Sequence, residues 1–87
     1  MISEQLVATE VTADGTAYTG RADFYGCSVF AGTAKIYDNT SASGALLMET
    51  GLPGLMLPAG TCIKTSIGIH VDLTTGPVVV YYIPRGA

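Results

Sequence analysis

Between Ile63 and Leu73 the chain alternates: Ile63, Ile67, Ile69, Val71 and Leu73 share one parity, while Lys64, Ser66, His70 and Asp72 take the other. A period of two places one set against a core and the other in water, which predicts a half-buried strand. Val78 to Ile83 departs from this rule, because Val78, Val79, Val80, Tyr81, Tyr82 and Ile83 are apolar at both parities. A strand of that kind needs cover on its second face as well. Ala22 to Ala31 repeats the feature, with Phe24 and Phe30 on one parity and Tyr25, Cys27 and Val29 on the other.

Turn residues divide the rest of the chain at short intervals: Asp14-Gly15, Gly20, Gly32, a long loop from Asp38 to Gly44, Gly51 to Gly54, Pro58 to Gly60, and Thr75-Gly76-Pro77. The segments between them predict strands over Gln5 to Thr12, Thr16 to Thr19, Ala22 to Ala31, Ala34 to Tyr37, Ala45 to Glu49, Leu55 to Leu57, Thr61 to Leu73 with a break available at Gly68, and Val78 to Ile83. Val, Ile and Thr recur throughout, and their branched side chains suit a pleated sheet. Glycine at 11 positions and proline at 4 leave no room for a long helix. The expectation is an all-β fold, a single small antiparallel sandwich or barrel of short strands.

A chain of 87 residues holds one domain with a small core. Residues 1–20 are expected to form an N-terminal arm or edge strands, and 21–87 the β-sandwich. Ser3 could cap a short helix, but the Val and Thr content of residues 7–12 favours extended chain. The longest apolar run, Val78 to Ile83, is far short of the roughly 20 residues of a spanning helix, so no membrane role is expected. Glu4 sits where a signal peptide carries basic residues, so export by that route is not expected either.

Charged residues make up only 13% of the chain and apolar ones 48%. Desolvating part of such a surface meets few charges, which favours self-association. The four basic residues, Arg21, Lys35, Lys64 and Arg85, stand well apart in sequence, and the net charge is -3. Nucleic acid is therefore not an expected ligand. Cys27 and Cys62 are too few for a disulfide scaffold and read as free, largely buried thiols. On that reading the sequon Asn39-Thr40-Ser41 stays unmodified.

Candidate chemistry is sparse. His70, the only histidine, shares a strand face with Asp72, and two ligands do not define a metal site. Both cysteines lie within apolar alternation, without the electropositive surround that activates a thiol. Gly51-Leu52-Pro53-Gly54 lacks the lysine and helix of a phosphate-binding loop. Asp38, at the end of a predicted strand in IYDNTSASG, reads as a cap on its own loop, since no acids follow at the alternate positions calcium needs. No catalytic, cofactor-binding or metal-binding residue is expected. Tyr18 and Tyr37, near turns, are candidates for stacking on a sugar in a carbohydrate- or receptor-binding module, the alternative function.

Several segments taken in order resemble one group of proteins: Lys35-Ile36-Tyr37-Asp38, Thr40-Ser41-Ala42-Ser43-Gly44, Leu57-Pro58-Ala59-Gly60, Gly68-Ile69-His70-Val71 and Val78 to Tyr82. The chain is similar in these to small all-β virion proteins of tailed bacteriophages, over about two thirds of its length. The resemblance implies a jelly-roll-like sandwich of seven or eight strands, assembled as a homotrimer on the outer surface of the phage head. Its role there would be that of a non-enzymatic capsid decoration, or cement, protein docked on the major capsid protein. Such a protein is made in the host cytoplasm, and related sandwiches serve in head fibres and tails. For the oligomer interface the expected residues are Val79, Tyr81 and Ile83, together with Tyr25 and Val29.

Overall fold

A computed structural model describes residues 6–58 and 60–85. Gln5, where the first predicted strand starts, Ser3, Glu4 and Ala59 of the Pro58 to Gly60 turn lie outside the described residues, as do residues 86–87. The chain forms antiparallel strands: β1 (Val7–Val11), β2 (Gly15–Thr19), β3 (Ala22–Val29), β4 (Thr33–Asp38), β5 (Ala45–Gly51), β6 (Gly54–Met56), β7 (Ile63–Thr65), β8 (Gly68–Leu73) and β9 (Val78–Pro84). They pair in two sheets, a first in the order β1-β9-β3-β6, with β7 also on β3, and a second in the order β2-β8-β4-β5.

The pairings nest. β1 pairs with β9, β2 with β8, β3 with β6, and β4 with β5. The chain is thus one long antiparallel ribbon whose tip is the loop between β4 and β5. Rolling that ribbon lays alternate pairs in opposite sheets, and the resulting strand orders are those of a jelly roll. Residues 7–20 supply the edge strand of each sheet, β1 in one and β2 in the other.

The core fills the space between the sheets. Phe24, Cys27 and Val29 from β3 and Val78, Val80 and Tyr82 from β9 meet Ala34, Ile36, Met48, Ile69 and Val71 from the second sheet. Across it the Cys27 thiol lies 3.9 Å from the Met48 sulfur. Both cysteines are free, Cys27 buried and Cys62 half-buried. Desolvation pushes the Cys27 thiol pKa up, which keeps the thiol protonated and inert.

Two sequence expectations change. The predicted strand Thr61 to Leu73 is split between sheets: β7 pairs with β3 in the first sheet, and β8 with β2 and β4 in the second. Ile67 falls at the corner, where it is exposed rather than in the core. Val29, expected on the outer face beside Tyr25, lies in the core instead, at 1% exposure. The cause is a bulge in β3, where the register against β9 shifts between Phe24 and Gly26. One extra residue reverses the parity that follows, so Phe24 and Val29 both point inward despite their odd spacing.

Gly26 makes that bulge possible. Its φ of 136° is one that L side chains rarely adopt, and a Cβ there would press on the Leu55 carbonyl oxygen and sit 2.8 Å from the Met56 Cα.

Candidate functional site: the outer face of the first sheet and its basic corner

The two sheets present different outer faces. On the second, register places Asp72, Lys35 and Glu49 side by side across β8, β4 and β5, with Thr16, His70 and Tyr37 in the neighbouring row. That is a solvated face. His70 Nδ1 lies 3.1 Å from the Thr16 hydroxyl. Its neighbour Asp72 does not complete a metal site, and no group of three His, Cys, Asp or Glu side chains capable of holding an ion occurs among the described residues.

The outer face of the first sheet carries an apolar stretch along β9, with Glu10 and Ser28 on either side of Val79. Along β9, Val78, Val80 and Tyr82 point into the core, leaving Val79, Tyr81 and Ile83 half-buried on the outside. Register carries this surface sideways, since Tyr81 lies opposite Ala8 on β1 and Gly26 on β3, and Gly26 opposite Met56 on β6. Tyr25, half-buried at the bulge, has Cys62 and Asp23 as neighbours, and burial pushes its phenol pKa up. The Tyr81 hydroxyl is 3.1 Å from that of Ser28.

An edge missed in the sequence continues this surface. β6 is short and pairs only with β3. Leu55 and Met56 on β6, Leu52 in the turn before it and Phe30 at the end of β3 are 47% to 66% exposed. The hydrogen bond from Val29 N–H to the Pro53 carbonyl, 3.0 Å, ties the Leu52 turn to that end of β3. In sequence these residues read as ordinary strand and turn positions. Only the pairing of β6 with β3 shows that they gather at one open edge.

Charge gathers at one corner of the face. Asp23 on β3 is 3% exposed and pairs with Lys64 on β7 and with Arg85 just beyond β9. Its Oδ2 accepts hydrogen bonds from Arg85 Nε, at 2.7 Å, and from Arg85 Nη2, and Lys64 Nζ stands 3.5 Å from Oδ1. The Arg85 hydrogen bonds hold the Asp23 carboxyl below its ordinary pKa against a desolvation that pushes it up. Arg85 N–H donates to the Arg21 carbonyl at 2.9 Å, which brings the turn before β3 to the same place. Together with Thr65 and Ser66 these residues line a pocket of about 280 Å³.

Of the two sugar-stacking candidates, Tyr18 packs within the protein and Tyr37 lies on the outer face of the second sheet. Tyr18 is half-buried, its ring centroid 5.2 Å from that of Tyr82 at the open end of the sandwich. Tyr37 is half-buried on the second sheet, opposite His70. Asp38 does not cap its own loop. Its carboxylate accepts hydrogen bonds from the N–H groups of Ser66 (3.1 and 3.0 Å), Ile67 (2.9 Å) and Gly68 (3.3 Å), which close the corner between β7 and β8. Asn39 organises the loop instead, through Nδ2 to the Ser43 carbonyl (2.9 Å) and Oδ1 from the Thr40 N–H (2.8 Å).

Comparison with protein-family models, with curated proteins and with solved structures returned no match.

Proposed function

We propose that this chain is a non-enzymatic virion structural protein of a tailed bacteriophage. It works as a homotrimeric decoration, or cement, protein on the outer surface of the head, where it docks on the major capsid protein. The observation that carries the reading is the apolar stretch on the outer face of the first sheet, Val79, Tyr81, Ile83 and Tyr25, continued through Met56 at the open edge. A small monomeric domain gains nothing by exposing a continuous apolar surface beside a charged one, and the usual cover is another copy of the same chain in closed symmetry. The rolled sandwich and the order of motifs described above support the phage assignment. Many identical copies tied between capsid subunits resist internal pressure through summed weak contacts.

Solution mass by light scattering after gel filtration tests the assembly, and labelled protein mixed with undecorated phage capsids tests the docking. A mass of three chains, with Tyr81→Asp running as a folded monomer, is the expected result. A clean monomer at high concentration that also fails to bind capsids overturns the reading.

A further inference from the structure

Three of the four basic side chains meet at one pocket, although Arg21, Lys64 and Arg85 come from distant parts of the sequence. Asp23 is the acid that lines the pocket with them, and Asp38 stands behind it on the Ser66 N–H, while the chain outside the pocket lining carries six acids against Lys35 alone. The pocket is therefore a cationic island on an acidic protein. Asp23 is consumed in organising it. Its Oδ2 binds the Arg85 guanidinium and its Oδ1 faces Lys64, so the carboxylate fixes two cations at the wall.

The donors that remain are of the kind that bind oxyanions. Lys64 keeps its ammonium 83% exposed, and Arg21 is exposed at the rim. Ser66 contributes a hydroxyl, whereas the Thr65 hydroxyl already donates to the Ala22 carbonyl at 3.4 Å. A guanidinium offers a planar fork to carboxylate or phosphate and an ammonium acts as a point charge, so the two together suit an oxygen anion rather than a halide. A volume of about 280 Å³ exceeds a single water's share of roughly 30 Å³ many times over and admits a polyatomic group.

We propose that the pocket bounded by Arg21, Lys64, Arg85 and Ser66 is a binding site for an oxyanion, a phosphate or a carboxylate. This stands apart from the assembly reading, because it concerns a corner of the face and can be tested on a monomeric variant as well as on the assembled protein.

The test is amide chemical-shift mapping of the full chain at low ionic strength, titrated separately with inorganic phosphate and with succinate at constant pH and sodium concentration. Saturable shifts confined to Arg21, Ala22 and Lys64 to Ser66 are expected with at least one of the two. Arg21→Ala should weaken binding at least about fivefold, the loss of one charge-assisted contact, and Lys35→Ala, at the remote lysine, should change nothing. Tighter binding of phosphate assigns a phosphoryl ligand, and tighter binding of succinate assigns an acidic group of a protein partner. Shifts that fail to saturate with both anions, or binding that Arg21→Ala leaves intact, overturn the site. Oligomeric state is read from the same samples by diffusion, so a failed pocket and a failed assembly give different results.

Discussion

Asp38 closes the corner at which the chain changes sheets. The chain leaves one sheet after Thr65 and enters the other at Gly68, and three consecutive N–H groups, Ser66 to Gly68, turn to one side chain there. A carboxylate from 28 residues earlier in the chain takes all three. Burial pushes the pKa of Asp38 up, but the N–H groups of Ile67, Ser66 and Gly68 outweigh it and hold the carboxyl below its ordinary 3.8. Hydrogen bonds to a charged group contribute about 1.5–3 kcal/mol, so Asp38→Ala should cost about 2 kcal/mol, and Asp38→Asn, which keeps one acceptor oxygen, about half that. The sign of the pH dependence follows from the depressed value. The stabilisation is present above the unfolded carboxyl's pKa and is lost as pH falls through the folded one. Urea melts of wild type and Asp38→Ala should differ by a constant amount above about pH 5, and the gap should narrow to about half below 3.8, because the protonated carboxyl keeps one acceptor oxygen as Asn does. A gap that stays unchanged in strong acid would assign the effect to packing instead.

At the scale of elements, alternation and turn residues were enough to locate the strands, because each signal is local. β9 is the clearest case: its sequence shows that both faces need cover, and it lies between β1 and β3 with Val78, Val80 and Tyr82 inward. What local patterning could not show is a change of sheet or of parity inside a continuous apolar run. Ile63 to Leu73 keeps one alternation across Ser66-Ile67; the break available at Gly68 is where β8 begins, but nothing local shows that the two strands enter different sheets, a corner closed by the distant Asp38. The bulge in β3 is similar. Gly26 is visible in the sequence, but its consequence, Val29 in the core rather than on the outer face, depends on the approach of β6. That dependence is testable. Gly26→Ala forces a Cβ onto the β6 backbone at a φ of 136°, and strain of this kind plus displaced backbone costs about 3 kcal/mol. For a domain of this size it should lower the melting temperature by more than about 10 °C. Gly15→Ala is the control, since its nearest atom would be 3.7 Å away, and it should change stability by less than about 1 kcal/mol. Equal melting temperatures for the two variants would mean that β6 moves aside freely.

Across the whole molecule, rolling the ribbon creates the features no linear reading contains. Arg21, Lys64 and Arg85 look isolated in sequence and become neighbours because β7 and the end of β9 both lie beside β3. The same rolling brings Met56 beside the outer face of β9 and leaves the charged row Asp72, Lys35 and Glu49 on the opposite sheet. The proposed assembly surface therefore has a side, and that side can be tested by symmetric substitutions. Met56 on β6 and Leu46 on β5 are matched probes, 47% and 49% exposed on the outer faces of different sheets. Covering a large apolar side chain at an interface is worth about 1.5–3 kcal/mol, and placing a carboxylate there adds a desolvation cost. Met56→Asp should weaken self-association at least about thirtyfold, the equivalent of about 2 kcal/mol, and Leu46→Asp should leave it within about twofold. Sedimentation velocity over a concentration series measures both, with circular dichroism to show that each variant is folded. If Leu46→Asp dissociates the assembly and Met56→Asp does not, the copies meet through the second sheet, and the proposed interface on the first is overturned.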